Sequence, residues 1–195
     1  MDGGTRMPQL LDLPRVWTPD DLDQLLPEGA DWRRYEIVDG SLVVSPSAGS
    51  RHEIVSARLL ARVYPSLPDG YEVVGPLGLD LGASYRIPDL MVIPTGPYAQ
   101  GRALVRPPDA LLAVEIVSPS SRTTDRITKP AQYAAAGIGA YWRVETDPDV
   151  TLTAYALEPG ASTYTELGTW GPGHSAALTE PFPVTIAIDA LIPSG

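Results

Sequence analysis

Three acidic residues stand where acids are expensive. Glu115 is the one charge in the apolar run "LLAVEIVS" (111–118). Asp89 follows Pro88 inside "YRIPDLMVIP" (85–94), and Glu36 opens a run with Ile37 and Val38 behind it. A buried carboxylate that loses its partner costs about 3–5 kcal/mol. A metal, a cation or protonation must compensate. Lys129, the only lysine in the chain, falls in "DRITKPAQY", shortly after the run that carries Glu115. Oxygen ligands from neighbouring strands suit a hard divalent cation. A helix that sets an ammonium beside the same ion would complete a site for phosphodiester chemistry. The metal would polarise a phosphoryl oxygen and lower the pKa of a bound water. The amine would steady charge on phosphate or position the attacking water. The plainer alternative for each acid is a carboxylate at a strand edge, salt-bridged or exposed, and for Lys129 a solvated residue at a helix start.

Composition narrows the chemistry further. With 195 residues, 44% hydrophobic and 19% charged, the chain suits one folded domain rather than a disordered one. It has no cysteine, which excludes disulfides, zinc–thiolate sites and cysteine nucleophiles. It has two histidines, His52 and His174, which excludes a histidine-rich metal site. A metal would therefore be held mainly by oxygen, as magnesium or manganese are. The opening "MDGGTRMPQLLDLPRVW" has no apolar core of the length export needs. No window approaches the ~18 apolar residues of a membrane span. The expected location is cytoplasmic, with no membrane partner. The net charge of -10 is poor for holding DNA by bulk electrostatics. It still permits an acidic enzyme that meets phosphate through a metal and a few local arginines.

The elements that must position these groups follow from periodicity. Residues 1–17 read as a loose arm, and 18–195 as a single domain. "TPDDLDQLL" (18–26) reads as a short helix with Thr18 able to cap it. "YEIVDGSLVVSP" (35–46) is a hairpin around Asp39-Gly40. A helix follows over 50–67, with Val55, Leu59 and Val63 among its apolar positions. Extended runs are expected over 71–82 and 85–94, then a Gly- and Pro-rich loop to about residue 108. The run 110–118 reads as a central strand covered on both faces. A helix is expected from about Asp125 or Thr128 to Ala136. Pro130 favours the later start, or a kink, because a proline deeper in the helix removes a hydrogen bond. Strand 139–146 comes next, and the chain is then all-β, with "TLTAYALE", "STYTELGTW" and "VTIAIDAL" strand-like. The order predicts an α/β or mixed α+β fold with a mixed sheet.

The segments "YEIVDGSLVVSP", "RHEIVSARLL", "YRIPDLMVI" and "LLAVEIVSPSSRTTDRITKPAQYAAAGIGAYWRVE", in that order, resemble the Uma-two family of restriction-endonuclease-like proteins, within the PD-(D/E)xK nuclease superfamily. The resemblance covers roughly residues 18–157, and more weakly the C-terminal strands over 150–195. It implies a restriction-endonuclease-like core: a mixed central sheet flanked by helices, here with an extra C-terminal β segment. Pro88-Asp89 match the first half of the superfamily motif, and Glu115 matches the acid of the second. Where the superfamily places lysine, this chain has Val117. The resemblance implies that the lysine has moved to the following helix, as Lys129. Glu36 matches an acid that many members carry on an early element. His52 matches a histidine in the family's first long helix, and Arg122 could touch phosphate. Both are accessory candidates, and a surface or packed role is the alternative for each.

The resemblance implies a magnesium- or manganese-dependent deoxyribonuclease, an endonuclease acting on ester bonds. Asp89 and Glu115 would bind the ion, with the backbone carbonyl of Ile116 or Val117. Lys129 would orient water or steady phosphate, and Glu36 would assist through a second metal or a water. The alternative is a non-catalytic module that binds nucleic acid or protein through a vestigial site, and the shortage of basic residues favours it. A two-carboxylate glycosidase using Glu36 and Glu115 would leave Lys129 and Pro88-Asp89 without purpose. No histidine–serine pair at a strand–helix elbow points to a hydrolase triad. A homodimer through the strand-rich C-terminal part is a further expectation.

Overall fold

The structure is a computed structural model and describes residues 16–21, 31–45, 47–101, 104–118 and 121–193. Residues 1–15 of the expected loose arm, and most of the helix expected over 18–26, lie outside them. The described start of that helix is a single 3-10 turn, Pro19–Asp21, in which Asp21 Oδ2 accepts from the Thr18 amide at 2.8 Å.

Turn chemistry and proline decide how the chain is shared between sheets. β1 (Tyr35–Val38) and β2 (Ser41–Val44) pair antiparallel across Asp39-Gly40. Both turn residues take positive φ, 46° and 78°, as a primed hairpin turn requires. A Cβ on Gly40 would also collide with Val16 Cγ1. Next, α1 (Ser50–Val63) buries Val55, Leu59 and Val63, one stripe at i, i+4 and i+8.

The two long extended runs are each divided in two. The first gives β3 (Tyr71–Val74) and β4 (Gly78–Asp80); the second gives β5 (Tyr85–Arg86) and β6 (Leu90–Pro94). The breaks contain Pro76 and Pro88, which have no N–H to give a ladder, and at each break the chain passes between sheets. The stretch expected as loop to residue 108 holds a short helix, α2 (Thr95–Ala99), and β7 (Leu104–Val105). Then come β8 (Leu112–Val117), α3 (Lys129–Ala135), β9 (Ala140–Glu145), β10 (Thr151–Ala156) and β11 (Thr165–Trp170). The chain closes with β12 (Ser175–Leu178) and β13 (Val184–Ala187).

The central sheet has the order β11-β10-β9-β8-β6-β3 and is mixed, with β8 and β9 parallel and their other neighbours antiparallel. A second sheet runs β2-β1-β5-β4-β7, and β12 and β13 form a separate pair. This is the mixed architecture with flanking helices and an added C-terminal β segment that the sequence implies. Every residue of β8 is buried. Leu112, Val114 and Ile116 pack with α1 and the C-terminal strands, while Ala113 packs on the other face with Tyr133 of α3. The two-residue period of a strand therefore turns Glu115 toward α3. Among the described residues, no helix is long and apolar enough to cross a membrane.

Candidate active site

The crossing from β5 to β6 creates the first half of the site. Carrying the register Leu90↔Val114 two residues further sets Pro88 opposite Ile116. Pro88 has no N–H to offer, and the Ile116 amide donates instead to Asp89 Oδ2 at 2.7 Å. An extended residue in such a ladder turns its N–H and C=O to the same edge. The Ile116 carbonyl therefore faces the Asp89 side. The Val117 carbonyl faces the other edge, where the Thr146 hydroxyl donates to it at 3.1 Å. His52, three residues before Val55 on the inner face of α1, places Nε2 3.2 Å from the same Asp89 oxygen.

The second half is a buried charge cluster. Lys129 Nζ donates to Glu115 Oε2 at 2.8 Å, and the Tyr133 hydroxyl donates to Oε1 at 2.5 Å. The same ammonium lies 3.3 Å from Asp125 Oδ1 and 3.6 Å from Glu36 Oε1. Glu36 accepts from the Ile87 amide at 3.0 Å and from Arg86 at 3.2 Å, which ties β1 to the segment that carries Asp89. Glu36, Arg86, Glu115, Asp125 and Lys129 are all buried, whereas the Asp89 side chain is 23% exposed. Asp89 is thus the open carboxylate of the group.

A widened helical turn brings Asp125 inside. Helical backbone begins at residue 122, earlier than expected, and residues Thr124–Thr128 form a π turn ahead of α3. Pro130 lacks a helical donor and crowds the preceding turn; widening that turn accommodates it without delaying the helix. The Lys129 amide bonds Thr124 O rather than Asp125 O. The Asp125 carbonyl so released accepts from the Tyr141 hydroxyl at 2.6 Å.

Electrostatics follow from this crowding. Four carboxylates, Glu36, Asp89, Glu115 and Asp125, face two permanent cations, Arg86 and Lys129, an excess of two negative charges. Burial pushes the Glu115 pKa well up; Asp125, Asp89 and Glu36 add to the rise, and Lys129 opposes it. Burial likewise raises Asp125. Burial works against the charge on Lys129, but Glu115, Glu36, Asp125 and Asp89 outweigh it and hold its pKa above the ordinary lysine range. His52 is also raised: burial opposes its charge, and Asp89, with Glu53 and Asp125 behind it, outweighs burial.

Of the expected residues, Glu36, Glu115 and Lys129 therefore meet directly, and Asp89 and His52 join them through the Ile116 end of β8. Arg122 is exposed and paired with Asp147 at 2.5 Å, outside this cluster. Sequence reasoning missed Asp125, Arg86 and the polar role of Tyr133. The signals were faint: an acid four residues before Lys129, a charge in the run that carries Asp89, and a tyrosine four residues after Lys129.

Among the described residues, no three Asp, Glu or His side chains stand ready to cage a cation alone. The expected ligand set is of another kind, two carboxylates and a backbone carbonyl. The excess negative charge and the oxygen donors fit a hard divalent ion, and Asp89 is the carboxylate open to solvent.

No curated protein matches the chain. A crystal structure described as "a putative nuclease belonging to DUF820", from Anabaena variabilis, matches with a TM-score of 0.65 at 16% identity, covering 90% of this chain and 97% of that one. At this identity the likeness shows the fold. The model of the Uma2 family, described as "Putative restriction endonuclease", matches residues 19–190. This chain belongs to the Uma2 family.

Proposed function

We propose that the chain is a metal-dependent endonuclease that hydrolyses phosphodiester bonds of DNA. Asp89, Glu115 and the Ile116 carbonyl would hold magnesium or manganese. When bound, the ion would polarise a phosphoryl oxygen and acidify a water. Lys129 Nζ, fixed by Glu115, supplies hydrogen bonds to the attacking water or to a phosphate oxygen. Tyr133 orients Glu115 through Oε1, and His52 orients Asp89 through Nε2, as second partners of metal ligands do. Glu36 assists by balancing Lys129 and by holding the Ile87–Asp89 segment in place. The carrying observation is the single ammonium buried among carboxylates from β1, β8 and the π turn, beside the open carboxylate of Asp89.

The test is cleavage of supercoiled plasmid DNA by the purified chain with magnesium or manganese, beside Asp89→Asn. Cleavage that needs the metal and is lost in the variant is expected. Equal cleavage by the variant, or none by the wild type with either metal, removes the proposal. A second reading, a binding module with a vestigial site, is favoured by the burial of the Lys129 and Glu115 side chains, 9% and 1% exposed. Calorimetric titration with manganese separates the two, because a vestigial site takes up no ion.

A further inference from the structure

Two exposed arginines flank Asp125, the acid that faces Lys129. Arg122 and Arg126 lie one turn apart on the helical passage leading to α3, about 6 Å along its axis. Arg126 grips Glu145 with two hydrogen bonds, at 2.9 and 3.0 Å, and Arg122 reaches Asp147 at 2.5 Å. Glu145 ends β9, and Asp147 lies two residues beyond it. Glu145 is in register with Val117, two residues beyond Glu115 on the parallel neighbour. In open α/β sheets, ligands gather beyond the carboxyl ends of parallel strands. Arg143 adds a third guanidinium, 3.2 Å from Glu145.

The Arg122–Asp147 pair is poorly explained by stability: its side chains are 44% and 63% exposed, and exposed ion pairs add little to a fold. Arg126 is likewise 43% exposed, while its partner Glu145 is 14% exposed and shared with Arg143. A guanidinium fork that fits a carboxylate in two bonds fits a phosphate equally well. We infer that Arg122 and Arg126 form a rim that binds the DNA backbone beside the site, with Glu145 and Asp147 as built-in competitors for the same forks. This deepens the nuclease reading and rests on it. In a chain of net charge -10, such competitors keep contact with phosphate weak except where several phosphates arrive together.

The experiment is fluorescence anisotropy of a labelled DNA duplex in EDTA, where no metal-dependent cut occurs, across a series of NaCl concentrations. Arg122→Gln with Arg126→Gln should weaken binding and reduce the slope of log affinity against log salt by about two. Glu145→Gln and Asp147→Asn should each tighten binding several-fold, which mere loss of an ion pair would not do. Arginine variants that bind like the wild type at every salt, acid variants that bind no tighter, or a wild type without salt-dependent affinity would each overturn the rim. Should the arginine variants unfold, the acid variants decide alone. Cleavage is scored separately. Duplex binding without cleavage sinks the nuclease reading and keeps the rim; cleavage with unaffected arginine variants sinks the rim alone.

Discussion

Lys129 Nζ lies 2.8 Å from Glu115 Oε2, and the two side chains expose only 9% and 1% of their surface. The ammonium also faces Asp125 and Glu36. One cation thus offsets carboxylates from three elements, and its removal leaves them buried together. Lys129→Met should cost about 3–5 kcal/mol, read from the urea midpoint. Adding Glu115→Gln should recover part of that loss, because the two sites are coupled. Equal stability of Lys129→Met and wild type would mean that the cluster is already neutral. Lys129→Ala is for the same reason a poor probe of catalysis alone.

The pH dependence of the metal-free protein has a definite sign. Glu115 and Asp125 have native pKa values raised above their ordinary 4.5 and 3.8. Between the ordinary and the raised value, the folded state binds more protons than the unfolded one, so stability falls as pH rises. His52 is raised above 6.5 and Lys129 above 10.5, and their stabilising charge is lost as pH climbs past those windows. Urea midpoints in EDTA should therefore increase from about pH 8 down to about pH 5. A midpoint that is flat, or highest at the alkaline end, would contradict the buried cluster.

Asp89, Glu115 and Lys129 were legible because each is a polar break in a strong local pattern. The hairpin was legible for a similar reason, since Asp39-Gly40 supplies the positive φ its turn needs. Arg86 was not, although it stands three residues before Asp89. Its partner Glu36 is 50 residues away in sequence, and only tertiary pairing explains a buried guanidinium there. Asp125 reads as an ordinary acid at a helix start, complementing the dipole; the π turn is what brings it inward. Extended patterning likewise marked 71–82 and 85–94 as strands but carried no information about which sheet each half joins. That choice rests on long-range ladders and on two prolines that cannot extend them.

The π turn makes its own prediction. Tyr141→Phe removes the one donor that replaces the helical bond at the Asp125 carbonyl, 2.6 Å away. A buried acceptor left unsatisfied should cost about 1–3 kcal/mol. Tyr164→Phe is the control, since its hydroxyl serves the Ile138 carbonyl at 2.7 Å, beyond the other end of α3. Both variants should lose stability. Only Tyr141→Phe should also weaken manganese uptake, because it frees the turn that sets Asp125 against Lys129. Equal uptake in the two variants would make the Tyr141 bond purely structural.

Asp89 and Glu36 should separate metal binding from architecture. Asp89→Asn keeps an oxygen that can accept from the Ile116 amide, and it removes one of the charges that repel Glu115. In EDTA this variant should be as stable as the wild type or more so, while its affinity for manganese by calorimetry falls at least about tenfold. Glu36→Gln should behave the other way. Arg86, 1% exposed, would lose its carboxylate, and Lys129 would lose one of three. Its urea midpoint should drop by the equivalent of several kcal/mol, while uptake of the ion at Asp89 and Glu115 stays within a few-fold. The reverse pattern, with Asp89→Asn binding the ion normally and Glu36→Gln not binding it, would place the cation on the Arg86 side of the cluster. It would also leave the Ile116 carbonyl without a role.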